Sequence, residues 1–177
     1  MNKNDFSLDV GKSEKLEALY SPSNTSDDKN LTWTSDNKDV ATVDQDGTVT
    51  GISSGTAKII ATGANGTSAS ARVTVQVPIS SLTLDYESYE LTKGESFKLT
   101  ANIMPDTYTD TVAWSSSDTS IASVDQNGTV SAESVGQAVI SITSSRGSSA
   151  SCTINVTIPA TEIKLKNIPD ILHEGQN

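Results

Sequence analysis

A segment that begins with a tryptophan occurs twice in this chain and limits its fold more than any other feature. Residues 31–55 read LTWTSDNKDVATVDQDGTVTGISSG, and residues 112–136 read VAWSSSDTSIASVDQNGTVSAESVG. Trp33 and Trp114 lie 81 positions apart, and both copies keep a V-D-Q-[DN]-G-T-V run and a closing glycine. Because a segment that recurs together with its turn residues is typical of a structural repeat, we interpret the chain as tandem copies of one module.

The repeat extends over nearly the whole sequence. The 81-residue spacing holds from Trp33 to Pro78 and its match Pro159, whereas upstream of the tryptophan the spacing is 83. The two additional residues of the first copy fall in the polar stretch SPSNTSDDKN, which indicates a surface loop. After Pro159 the pattern begins again, with Ile163 and Leu165 matching Leu82 and Leu84.

This repeat predicts three segments. Residues 1–78 form a module that lacks most of its first strand, residues 79–159 form a complete module, and residues 160–177 are the first strands of a truncated third module. The stretch MNKNDFSLDV has no apolar core of the kind that signal peptides carry, so we expect Met1 to begin an excised fragment.

Hydrophobic residues alternate with polar ones in each module, which indicates strands. In the second copy the alternating sets are Phe97, Leu99, Ala101 and Ile103; Ala138, Ile140 and Ile142; and Cys152, Ile154, Val156 and Ile158. In the first copy, Ala71, Val73, Val75 and Val77 alternate in the same way. About seven short strands per module, each with one buried face, predict tandem immunoglobulin-like β-sandwiches in a Greek-key arrangement. We expect each tryptophan to anchor a core.

Order and spacing of these residues resemble the bacterial Ig-like domain, group 2. The pattern is W-x-S-x-[DN], then [VI]-A-[TS]-V-D-x-x-G-T-V, then G-x-A-x-I, and it runs from Trp33 to Ala57 and from Trp114 to Ala138. One departure is Ser131-Ala132, where the first copy has Thr50-Gly51. The resemblance implies tandem sandwiches in bacterial surface or secreted proteins, including intimin-like adhesins, and as accessory modules of extracellular enzymes.

The net charge and the few potentially reactive side chains limit the partners and activities that this chain can have. The net charge of −10 repels phosphate backbones and anionic lipid surfaces, so we expect no nucleic-acid partner. No stretch approaches the ~20 apolar residues of a membrane span, so we expect no membrane insertion. The single cysteine, Cys152, has the inward parity of its strand, so we predict a core residue rather than a nucleophile. The one histidine, His173, lies outside both modules, and Asp27-Asp28 occur in one copy only. We therefore expect no enzyme activity, no catalytic residues and no cofactor.

Two groups of residues are candidates for ligand binding, one for calcium and one for carbohydrate. Asp44-Gln45-Asp46-Gly47 resembles the start of a calcium loop, but the second copy reads Asp125-Gln126-Asn127-Gly128. Calcium needs about 6–8 oxygen ligands, so we favour a tight turn and predict no metal site, although a site at a module junction stays open. Carbohydrate modules present exposed aromatic rings; the candidates here are Tyr86, Tyr89 and Tyr108, each of which could instead cap a sheet end.

The joints between modules have no flexible spacer. Pro78 and Pro159 follow directly on the last strands, which predicts short, semi-rigid connections to the neighbouring modules. The tail, residues 160–177, either pairs head-to-tail with the first module of another copy or lies against its own second module. The predicted function is a non-catalytic spacer, with adhesive contacts, of an extracellular or cell-surface bacterial protein. The alternative is a module that binds carbohydrate or a host protein, attached to an extracellular enzyme.

Overall fold

The computed structural model describes residues 1–21, 23 and 30–160, and all regular structure in this part of the chain is β. The predicted all-β fold of tandem immunoglobulin-like sandwiches is confirmed. Strands β1–β7 form an N-terminal sandwich and strands β8–β16 form a C-terminal sandwich, each with its own cluster of buried residues. The tail beyond residue 160, His173 and Asp27-Asp28 lie outside the described residues.

The N-terminal sandwich consists of a four-stranded sheet, ordered β1-β7-β6-β3, and a three-stranded sheet, ordered β2-β5-β4. Its strands are β1 (Asp5–Asp9), β2 (Ser13–Lys15), β3 (Leu31–Ser35), β4 (Ala41–Val43), β5 (Thr48–Gly51), β6 (Gly55–Gly63) and β7 (Ser68–Gln76).

The C-terminal sandwich repeats these two sheets, as β9-β16-β15-β12 and β10-β14-β13, and adds a two-stranded sheet of β8 and β11. Its strands are β8 (Ser81–Leu84), β9 (Ser88–Thr92), β10 (Ser96–Lys98), β11 (Ala101–Met104), β12 (Val112–Ser116), β13 (Ala122–Val124), β14 (Thr129–Ala132), β15 (Gly136–Ser144) and β16 (Ser149–Thr157).

The alternating pattern sets the burial of each strand. In β16 the side chains of Cys152, Ile154 and Val156 are at most 2% exposed, while their neighbours along the strand face outward or sit at the edge. Ala71, Val73 and Val75 of β7 repeat this arrangement. Such alternation places one face of each sheet in the core, as antiparallel sandwiches require.

Two details of the strand predictions were wrong. The stretch from Phe97 to Ile103 forms two strands rather than one, because β10 pairs with β14 whereas β11 pairs with β8. Its predicted alternation still holds, with Leu99 fully buried at the break. The alternation predicts that Ile158 is buried, but this residue is 61% exposed, because β16 ends one residue before it, at Thr157.

Both tryptophans are core anchors, as predicted. Trp33 and Trp114 are 5% and 9% exposed and lie in the clusters that fill the two sandwiches. Each indole packs on a glycine of the turn between two strands, Gly47 or Gly128, whose φ of +83° is in the left-handed region. A Cβ on Gly128 would approach the Leu99 carbonyl oxygen to 2.5 Å and Cζ2 of Trp114 to 2.9 Å. Glycine is therefore required here both for its backbone and for its missing side chain.

The packing role of Gly128 can be tested by comparison with a glycine that has a positive φ but no close neighbours. Gly94 also has a positive φ, but a Cβ added to it would meet nothing within 4 Å. We expect Gly94→Ala to lower the free energy of unfolding by about 1–2 kcal/mol, the cost of left-handed backbone. Gly128→Ala should cost roughly 1–3 kcal/mol more, because the methyl group forces the core apart. Urea unfolding followed by tryptophan fluorescence measures both; equal losses would contradict the proposed packing role.

Candidate functional site

The Asp-Gln-[Asp/Asn]-Gly turn has the same geometry in both sandwiches. One carboxylate oxygen of Asp44 accepts hydrogen bonds from the backbone amides of Asp46 (2.9 Å) and Thr48 (2.8 Å). The corresponding oxygen of Asp125 accepts from Asn127 and Thr129, both at 2.8 Å. The aspartate that resembled a calcium ligand thus holds the turn together.

The glutamine of the turn ties it to the tryptophan strand. Gln45 accepts a hydrogen bond from the backbone amide of Trp33 at 3.3 Å and donates one to its carbonyl at 3.2 Å. Gln126 makes the same pair of bonds to Trp114, both at 3.3 Å. These bonds fix the strand that carries the indole relative to the turn that carries the glycine. The repeated D-Q-x-G sequence therefore has a structural explanation at each of its three constant positions.

The hydrogen bonds also change the acidity of the aspartates. The pKa of Asp125 is lowered chiefly by the hydrogen bond from the Thr129 backbone amide, and Thr48 lowers the pKa of Asp44 in the same way. Within residues 1–21, 23 and 30–160, no three His, Cys, Asp or Glu side chains are grouped so that they could hold a metal ion. The absence of a calcium site near Asp44 and Asp46 stays a prediction.

Acid should remove the contribution of this aspartate to stability. Because the pKa of Asp125 is lower in the folded than in the unfolded chain, its stabilisation is present above the unfolded value of about 3.9 and is lost as the pH falls through the folded value. We expect Asp125→Asn to be less stable than wild type at pH 7, with the difference closing below about pH 4. Urea unfolding from pH 7 to pH 2 measures it, with exposed Asp106→Asn as the control for loss of one charge. A difference that does not change with pH would contradict the assignment.

The joint between the sandwiches is a second candidate site. Arg146, in the turn between β15 and β16, bonds both carboxylate oxygens of Asp9, at 3.0 and 2.8 Å. The same guanidinium donates to Oε1 of Gln76 at 2.6 Å, and its Nε lies 3.0 Å from Oδ1 of Asp110. Asp9 and Gln76 end β1 and β7 of the N-terminal sandwich, so one side chain connects both sandwiches.

Asp110 is the most deeply buried member of this group. Its side chain is 3% exposed, and its second oxygen accepts a hydrogen bond from the backbone amide of Ile79 at 3.1 Å. Thr109, the preceding residue, exchanges backbone and side-chain hydrogen bonds with Val77. The connecting residues 77–79 are therefore fastened to the C-terminal sandwich. The Asp9 and Asp110 carboxylates, Asp9 foremost, raise the pKa of Arg146, which keeps its charge.

The third candidate is a group of aromatic rings on the C-terminal sandwich. Tyr89 stacks on Phe97 with ring centroids 4.0 Å apart, and Tyr86, which is 45% exposed, meets Tyr89 edge-to-face at 5.1 Å. The sequence grouping was wrong in one member: the ring of Phe97 contacts both tyrosines, whereas Tyr108 packs against the core cluster. The alternation assigns Phe97 to the buried face of its strand, so the sequence does not identify it as a member of this group.

At the matching positions the N-terminal sandwich has two charged side chains and one aromatic ring instead of three aromatic rings. Lys3, Phe6 and Glu14 match Tyr86, Tyr89 and Phe97 at the 83-residue spacing. Lys3 forms an ion pair with Glu14 and lies over the ring of Phe6, 5.9 Å from its centroid. The aromatic surface is thus a property of one sandwich and not of the fold.

Cys152 is a core residue, as predicted. Its side chain is 1% exposed, and burial raises the pKa of its thiol, which favours the unreactive protonated form. In the part of the chain that the structure describes, no helix has the length and apolar character of a membrane span.

Two successive sandwiches with repeated tryptophan turns define a tandem immunoglobulin-like protein. The sequence model of the bacterial Ig-like domain (group 2) matches residues 1–75 and again residues 78–154, and the chain belongs to this family. The resemblance inferred from the tryptophan motif is therefore confirmed.

Similar proteins are longer than this chain. An uncharacterised protein of Clostridium acetobutylicum is 34% identical over 182 residues, which cover 100% of this chain and 19% of that protein. The lacto-N-biosidase of Bifidobacterium bifidum is 42% identical over 67 residues, 38% of this chain and 6% of the enzyme. The four N-terminal Ig domains of Dscam1 superpose with a TM-score of 0.52 at 13% identity, covering 89% of this chain and 44% of theirs, which shows the fold alone.

Proposed function

We propose that this chain is a non-catalytic structural segment that holds other domains of a longer bacterial surface or secreted protein at a fixed distance. The domains would be residues 1–78 and 79–159, and residues 160–177 would begin a third. Its partners would be the neighbouring modules and, through adhesive contacts, a host-surface protein. The chain spans about a fifth of the first curated relative it matches, in keeping with a segment of a larger protein.

The observation that carries this proposal is the Arg146 clamp at the joint. A spacer needs stiffness between its units, and units joined by a bare linker would reorient freely. Here a guanidinium bonds Asp9, Gln76 and Asp110 together across the joint, with Asp110 nearly buried. Planar bidentate contacts of this kind fix direction as well as distance.

Loss of the clamp should loosen the joint without unfolding either sandwich. We expect Arg146→Gln to broaden the range of angles between the sandwiches, because Asp110 and Asp9 lose the cation between them. Small-angle X-ray scattering and residual dipolar couplings measure that range. The matched control is Arg72→Gln, which makes the same charge change in an exposed pair with Asp5 inside the N-terminal sandwich.

The two arginine variants must differ for the proposal to hold. A joint that stays rigid in Arg146→Gln would show that the clamp is dispensable. If the two sandwiches of the wild-type chain already reorient freely about the joint, the stiff-spacer function is refuted, whatever the two variants do.

The second candidate function is carbohydrate binding by the aromatic surface of Tyr86, Tyr89 and Phe97. Sugar rings present flat apolar faces that stack on aromatic side chains, and Tyr86 leaves nearly half of its surface open. The related segment in lacto-N-biosidase supports this alternative, since a module attached to a glycosidase would hold that enzyme near its substrate.

A glycan array followed by titration of each positive oligosaccharide tests this candidate. We expect Tyr86→Ala to weaken binding roughly tenfold, the equivalent of about 1.4 kcal/mol, because one stacking surface is removed. Lys3→Ala, at the matching place of the N-terminal sandwich, should leave binding unchanged. A chain that retains no glycan on the array, or equal binding by both variants, would exclude the aromatic surface as the site.

A further inference from the structure

Four charged residues lie in one row across the outer face of the four-stranded sheet of the N-terminal sandwich. Asp5 of β1 lies opposite Arg72 of β7, and Arg72 lies opposite Lys58 of β6. Asp36, the residue after β3, donates its amide to the Lys58 carbonyl at 3.1 Å and accepts the Lys58 amide on its Oδ1 at 2.7 Å. All four residues are exposed, and this charged row reads carboxylate, guanidinium, ammonium, carboxylate.

A polar groove with a volume of about 390 Å³ lies over the charged row. The four residues of the row line it together with Asn4, Thr56, Ala57 and Ser70. Three spacings between neighbouring strands give the row a length of about 14 Å. A ligand of several units can therefore contact the whole row at once.

The C-terminal sandwich has the same row without a charge. Ser88 lies opposite Thr153, and Thr153 lies opposite Val139. Ser117 exchanges two hydrogen bonds with the backbone of Val139, both at 2.9 Å, in the manner of its counterpart in the charged row. The backbone of the row is thus common to both sandwiches, and neutral side chains are enough to build it. The fold does not require the charges of the N-terminal row.

The two central cations of the row are only partly balanced. Like charges on directly opposed residues of neighbouring strands repel each other. Arg72 bonds Asp5 through Nε at 2.8 Å, which leaves its two terminal nitrogens without a partner among the described residues. Lys58 forms no ion pair with any residue that the structure describes. The centre of the row therefore presents cationic hydrogen-bond donors to the groove.

We infer that this groove binds an acidic oligosaccharide, a sugar chain that is neutral except for one carboxylate. The carboxylate lies between Lys58 and Arg72, and both cations donate charge-assisted hydrogen bonds to it. The carboxylates of Asp5 and Asp36, on either side, accept hydrogen bonds from the hydroxyl groups of the neighbouring sugar units.

The outer carboxylates of the row favour this ligand over a polyanion. A peptide or polymer with a negative charge on each unit would meet Asp5 or Asp36 on both sides of the cationic centre. The net charge of −10 adds to that repulsion. A sugar chain with a single acid group meets the two cations with its carboxylate and the two aspartates with hydroxyl donors. The hydroxyl groups of Thr56 and Ser70 can donate or accept further hydrogen bonds in the groove.

An NMR titration of the full chain with two sugars that differ in one group tests this inference. The first sugar is cellotriose whose middle glucose is oxidised to glucuronic acid, and the second is cellotriose itself. We expect the acidic sugar to shift the backbone amide signals of the charged row and to leave those of the matching row unchanged. Cellotriose should bind the groove at least about tenfold more weakly, because it lacks the charged acceptor. Acetate and a tetraglutamate peptide should each bind more weakly than the acidic sugar.

Two variants give the row the residues of the C-terminal sandwich, where they fold in the same register. Lys58→Val and Arg72→Thr should each lower the affinity for the acidic sugar about tenfold, because each removes one of the two cations. Lys12→Val, which removes an exposed lysine outside the groove, should bind like wild type. Thermal unfolding of each variant checks that the sandwich is folded.

The signals of Tyr86, Tyr89 and Phe97 report the aromatic surface in the same titration, so binding there is distinguished from binding in the groove. Equal affinity of the groove for cellotriose and its acidic form would overturn the inference, as would a Lys58→Val chain that binds the acid as tightly as wild type. Acetate that binds as tightly as the acidic sugar would show a site for simple anions instead. A tetraglutamate peptide that binds more tightly would assign the groove to an acidic protein partner.

Discussion

Each sandwich depends on the contact between an indole and a glycine turn. The tryptophan fills the space between the two sheets, and the turn closes over it only because Gly47 or Gly128 has no side chain. The aspartate of the turn then orders its backbone, and the glutamine fixes it to the tryptophan strand. These four residues thus join the tryptophan strand to a turn about a dozen residues further along the chain, which is why the motif recurs as a whole. A change at any one of them alters the support of the other three.

Residues that act through local chemistry could be predicted from the sequence. The alternation of β16, the buried tryptophans and the Asp-Gly turn follow from a period of two and from the φ that glycine tolerates. The Arg146 clamp could not be predicted in this way, because it joins residues as distant in sequence as Asp9 and Arg146 and occurs once in the repeat. The aromatic group could be predicted only in part. The alternation assigns Phe97 to the buried face of β10, and its stacking on Tyr89 depends on how closely β9 and β10 lie in the folded sandwich, which the sequence pattern does not give.

Comparison of the two sandwiches separates what the fold requires from what each copy adds. The tryptophan turn is the same in both, down to hydrogen bonds that differ by at most 0.1 Å. The copies differ at Arg146 against Asn65, and at the aromatic group against Lys3, Phe6 and Glu14. These differences lie on the surface, where substitutions cost the fold little, and so it is there that a repeated module can acquire a distinct role.

The parallel pairing of outer strands determines how each sandwich would carry tension. β1 lies parallel to β7, and β9 lies parallel to β16, with five residue pairs in each case. These are strands near the entry and the exit of the chain, so opposite pulls on the two ends act along the strands and not across them. All the hydrogen bonds between the pair then share the load at once, whereas an antiparallel hairpin pulled at its open end would lose them one after another. The order of the strands therefore suits each sandwich to transmit force along the chain.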